Sequence, residues 1–128
     1  MKKRILAIAL LATGFHTVFA MSVRDAGENL LYFEHAKLSA EHCEKQGISV
    51  RTAFTDWQQK NIPVYRQSSD TIRAEAAKGG LSKPEQEGVL AAAIESQRKL
   101  AQDNIARKGV ACQKFGAVLQ MYTDLLKR

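Results

Sequence analysis

From residue 21 onward, apolar side chains return at every third or fourth position, and nowhere do they alternate with polar ones as a half-buried strand requires. Glycine, proline and serine punctuate the pattern and divide it into four pieces, each with helical periodicity. The first runs from about Val23 to Gln46. Ser22 suits its N-cap, Asp25 and Glu28 stand in early turns where the helix dipole favours negative charge, and Gly47 stops it. Leu30, Phe33, Ala36, Ala40 and Cys43 follow at three- and four-residue steps and so share one face.

The second piece, from about Val50 to Lys78, carries Val50, Phe54, Trp57, Val64, Tyr65, Ile72 and Ala76 on a broad apolar stripe, with Pro63 inside it. Proline lacks a donor and disfavours helical geometry at the residue before it, so a kink or short break is expected near Asn61-Ile62. Gly79-Gly80 ends this helix. Ser82-Lys83-Pro84-Glu85 then gives the clearest start signal in the chain, a serine and a glutamate at capping-box spacing with proline in the first turn, where its missing N–H is not needed. The third helix should reach about Arg107, with Leu90, Ile94, Ala101 and Ile105 inward and Gln97 a polar exception on the same line. Gly109 either turns the chain there or sits within one long rod, at a cost of about 1 kcal/mol. The last piece, about Val110 to Lys127, has Cys112, Phe115, Val118, Leu119, Tyr122, Leu125 and Leu126 at helical spacing. Leu125-Leu126 suits either the end of the core or the start of a dimer seam, so the pattern leaves the oligomeric state open.

Joined by short turns, these elements predict an all-α fold, a four-helix up-down-up-down bundle with a kinked second helix. Such a bundle brings the end of the first helix to the start of the fourth. Cys43 lies near the first of these points and Cys112 near the second, both on apolar faces, so an inter-helix disulfide is expected. It would close a loop with a sequence separation of 69 residues.

Residues 1–20, MKKRILAIALLATGFHTVFA, change the compartment in which this chemistry is read. A basic start (Lys2, Lys3, Arg4), an apolar run from Ile5 to Phe15 and small residues at Val18 and Ala20 have the form of a secretory signal peptide cut after Ala20. The apolar run is too short to span a bilayer comfortably. The expected mature protein is therefore a single helical domain, residues 21–128, in the periplasm or outside the cell, where disulfides form and persist and no stable membrane insertion remains. Three of the 19 basic residues leave with the signal, so 16 basic side chains face 13 acidic ones, a net charge of +3. That is well short of a nucleic-acid footprint, and no nucleic-acid partner is expected.

Little in the chain arranges catalytic or cofactor chemistry. His35 and His42 are the only histidines after residue 20, and on one helix they stand about 10.5 Å apart along the axis, too far to share an ion. No C-x-x-C, C-x-x-C-H or E-x-x-H spacing occurs, and there is no Gly-rich phosphate loop or G-x-S-x-G elbow. No metal, no cofactor and no enzymatic activity are expected. The richest group of recognition side chains lies around Pro63, where Trp57, Asn61, Tyr65 and Arg66 combine a tryptophan, an amide, a phenol and a guanidinium. The same residues also read as core aromatics, a capping asparagine after the break and a solvated arginine. A mixed face, with Arg66, Arg73, Lys78 and Lys83 among Asp70, Glu75 and Glu85, has no strong steering field. The expected function is that of an exported protein-binding module, an inhibitor or immunity-type protein that occludes a toxin or lytic enzyme. A periplasmic stress chaperone or small-ligand carrier is the alternative.

Overall fold

The computed structural model describes residues 20–128, so the expected signal segment lies, but for Ala20, outside the described residues. Four α-helices and one 3-10 turn make up an all-α bundle: α1 (Val23–Lys45), α2 (Arg51–Lys78), α3 (Lys83–Lys108), the turn Cys112–Lys114 and α4 (Phe115–Leu125). The local signals work as their chemistry requires. Ser22 Oγ accepts from the Asp25 N–H at 3.0 Å, and Ser82 Oγ accepts from the Glu85 N–H at 3.4 Å while its hydroxyl donates to Glu85 Oε1 at 2.8 Å. Gly109 has φ 68° and ψ −170°, a conformation all but restricted to glycine, and α3 therefore stops there instead of running on as a rod.

Two boundaries differ from the sequence expectation. Of the kink or short break expected near Asn61-Ile62, the break does not occur: α2 is one continuous helix with Pro63 inside it. Pro63 and Gln59 both face solvent, so the Gln59 carbonyl that proline leaves without a donor is available to water. Cys112 does not open the last helix either. It sits in the 3-10 turn before α4, and α4 ends at Leu125 with Leu126 already extended (φ −60°, ψ 130°).

The start of α2 is held across the turn. Val50, its N-cap position, offers no side-chain acceptor, and the Glu44 carboxylate of α1 takes that role, accepting from the backbone N–H groups of Val50 (2.9 Å) and Arg51 (2.7 Å). These two bonds hold the Glu44 carboxyl below its ordinary pKa.

Helix α1 is the centre of the assembly and packs against each of the other three. Its larger apolar cluster joins Phe33, Ala40 and Cys43 to Trp57, Val64, Phe115 and Leu119, and a smaller one joins Ala26 and Leu30 to Ile72 and Leu90. Cys43 and Cys112 form the disulfide, with S–S 2.10 Å and Cα–Cα 5.5 Å. At the opposite end of α4 the side chain of Asn29, fully buried, grips the backbone of Lys127: Oδ1 accepts from the Lys127 N–H at 2.7 Å, and Nδ2 donates to the Lys127 carbonyl at 2.8 Å. Helix α4 thus runs antiparallel to α1 and is fastened to it near both of its ends.

Candidate functional site

The residues singled out around Pro63 separate in space. Trp57 is buried and its Nε1–H donates to Thr123 Oγ1 of α4 at 2.9 Å, while its ring packs against Phe33 with centroids 5.2 Å apart. Asn61, only 2% exposed, caps nothing. Its Nδ2 donates to the Trp57 carbonyl at 2.8 Å and its Oδ1 accepts from Arg128 at 3.1 Å. These two side chains are committed inside the protein. Tyr65 is half-buried, edge-on to Phe33 with centroids 5.1 Å apart, and with the exposed Arg66 it lines a groove between α1 and α2.

That groove is a cavity of about 560 Å³, and a second one of about 480 Å³ continues it towards the α1–α2 turn, with Lys37 and Phe54 shared by both. Its apolar surface comes from Phe33, Ala40, Phe54, Ile62 and Tyr65, and charges of both signs border it. On α1, Glu34 is the unusual member. Its Oε2 is buried with no hydrogen-bond partner, and burial pushes its carboxyl above the ordinary value, although Lys37 and Arg98 oppose the rise. An unpartnered, buried carboxylate oxygen beside half-buried aromatic side chains costs the free protein stability.

A second concavity, of about 510 Å³, lies between α1, the end of α3 and α4. Its polar groups are His35, Ser39, Asn104, Lys108 and Tyr122. The Tyr122 hydroxyl is 2.6 Å from His35 Nδ1, and burial lowers the imidazole's pKa and raises the phenol's, so both groups are neutral near pH 7. Ser39 is 1% exposed, and its Oγ makes no hydrogen bond of good geometry, although it lies near enough to the phenol to counter part of that rise. Sequence reasoning did not find this cluster. Its one local signal was the pairing of His35 with Ser39 four residues on, which shares a helix face, and the rest comes from two other helices.

The surface expected to be of mixed charge is crossed by ion pairs. Arg73 meets Asp70 at 2.9 Å and Glu87 at 2.6 Å, and Lys78 meets Glu75 at 3.6 Å. Among the described residues there is no group of three or more His, Cys, Asp or Glu that could hold a metal ion, and no helix is long and apolar enough to cross a membrane. No protein-family model matches the chain, and comparison with curated proteins and with solved structures returns no match.

Proposed function

We propose that the chain is exported to an oxidising compartment, the periplasm or the cell exterior, and there binds a segment of another protein in the α1–α2 groove. The observation that carries this reading is Glu34, whose carboxylate oxygen is buried without a partner beside the apolar side chains of Phe54 and Tyr65. An amphipathic segment with an apolar anchor flanked by a lysine or arginine satisfies both features at once: the anchor covers the aromatic rings and the cation pairs with Glu34. Export is supported by the Lys2–Arg4 start, the apolar run and the small residues before Met21, and a disulfide is at home in such a compartment. Occlusion of the bound protein, as an inhibitor or immunity-type protein would achieve it, needs only a rigid scaffold: the Glu44 cap ties α1 to the start of α2, and the disulfide ties α1 to the turn before α4.

The test is affinity capture from envelope extracts with the wild-type protein, Phe54→Asp and Glu34→Gln side by side. A single stoichiometric partner, lost with Phe54→Asp and weakened at least fivefold with Glu34→Gln, is the expected result. Capture of one partner equally by all three proteins would refute the groove, and capture of many unfolded clients would refute it and favour a chaperone.

A further inference from the structure

The cleft between α1, α3 and α4 is polar at one end and apolar at the other. Along α1 its lining passes from Leu31 and Tyr32 through His35 to Ser39, which spans about 12 Å at 1.5 Å per residue. Because α4 runs antiparallel to α1, Leu125 lies towards the Leu31 end. Met121 and Leu125, 48% and 39% exposed, are two of the five large apolar side chains left open to solvent among the described residues, and both border this one cleft. At the other end stand Ser39, Asn104 and Lys108. Lys108 carries the only formal charge among the described lining residues once His35 is neutral, and it makes no ion pair with them. No carboxylate lines the cleft to repel an anion.

We propose that this cleft binds a single-chain fatty carboxylate, with the acyl chain along Leu31, Val118, Met121 and Leu125 and the carboxylate at Lys108 and Ser39. The hydroxyl of Ser39 is nine-tenths buried and more, makes no hydrogen bond of good geometry, and is the donor this head group would take up. The Tyr122 hydroxyl and His35 Nδ1, 2.6 Å apart, add two further polar groups in the same region. A cavity of about 510 Å³ falls within the range of small-molecule sites, roughly 300 to 1,000 Å³, and apolar walls with a few convergent polar groups are their usual make-up. A neutral amphiphile would bury the same apolar surface without using Lys108, so charge on the head group distinguishes the proposal from general stickiness.

Titration calorimetry of the purified, disulfide-bonded protein with decanoate, kept below its micelle concentration, tests this. Saturable binding of one decanoate is expected, with octanoate weaker by about tenfold, as two methylenes of burial predict. Decanol should bind at least tenfold more weakly than decanoate, and Lys108→Gln should cost at least tenfold. Lys108 is exposed, so that variant keeps its fold, which circular dichroism checks. In the wild-type protein decanoate should also shift the ring signals of His35 and Tyr122 in NMR spectra and leave the methyl signals of Ile72, in the smaller apolar cluster, in place. Absence of saturable heat, equal affinity for decanol, an unaltered Lys108→Gln, or binding heat with unmoved His35 and Tyr122 signals would each overturn the proposal.

Discussion

Asn29 is the residue whose removal the fold should feel most sharply for its size. Its amide satisfies both backbone groups of Lys127 and also donates to Ser68 Oγ at 3.0 Å, in a place with no solvent access. Asn29→Ala leaves the part-buried N–H and carbonyl of Lys127 without their partner and empties a buried site, and denaturant unfolding should report a loss of about 1 to 2 kcal/mol. Glu34 acts in the opposite direction. Its carboxyl pKa is raised above the ordinary 4.5, so folding disfavours the charged form and the penalty is fully present at neutral pH. Glu34→Gln should therefore stabilise the free protein at pH 7 by about 0.5 kcal/mol, a small gain because solvent still screens the carboxylate. The gain should fade as the pH falls through the raised value towards 4.5, which unfolding curves at a series of pH values will show. A variant that is more stable yet binds less well would mark Glu34 as kept for contact and not for folding. At this scale the sequence was least legible. Asn29 sits beside Leu30 on a stripe that periodicity reads only as apolar, and Glu44 caps a helix that begins beyond the turn after its own.

At the scale of elements the sequence was far more legible, because helix starts and stops depend on near neighbours. Ser22, Ser82, Gly79-Gly80 and Gly109 mark ends that the structure places within a residue or two of expectation. Pro63 is the exception, since whether proline breaks a helix depends on which side of it faces water, and that is decided by tertiary packing. In α2 the proline faces outward and the helix continues. The residues around it divide for the same reason. Trp57 and Asn61 turn inward to α4 and Arg128, while Tyr65 and Arg66 reach the groove. Pro63→Ala should restore a backbone bond to the Gln59 carbonyl and remove steric crowding. Interior proline costs a helix about 3 kcal/mol, part of it returned through a stiffer unfolded chain, so a net gain of about 1 to 2 kcal/mol in thermal or urea unfolding is expected. The rest of the structure tolerates this change, as the side chain is exposed.

For the whole molecule, the pairing of Cys43 with Cys112 was legible from the expected compartment and the helix geometry together, whereas the α1–α3–α4 cleft was not, because its walls come from helices remote in sequence, and the α1–α2 groove was legible only through Tyr65 and Arg66. A bond with a sequence separation of 69 residues restricts the unfolded chain by about 4 kcal/mol in the loop-entropy picture. Replacing both cysteines with alanine should lower stability by roughly that amount, a large share of the 5 to 15 kcal/mol typical of a domain, and calorimetry will measure it. The same change should blunt ligand binding at the α1–α3–α4 cleft more than partner capture at the α1–α2 groove, since only the former has α4 as a wall.

The short final helix resembles a plank held by a bolt at one end and a latch at the other. Reductant withdraws the bolt at Cys112 and leaves the Asn29 latch on Lys127 engaged, so release should proceed from one side only. Deuterium ought then to enter the amides around Val110–Phe115 well before those around Tyr122–Lys127, and the molecule would open like a door on the hinge that Asn29 provides.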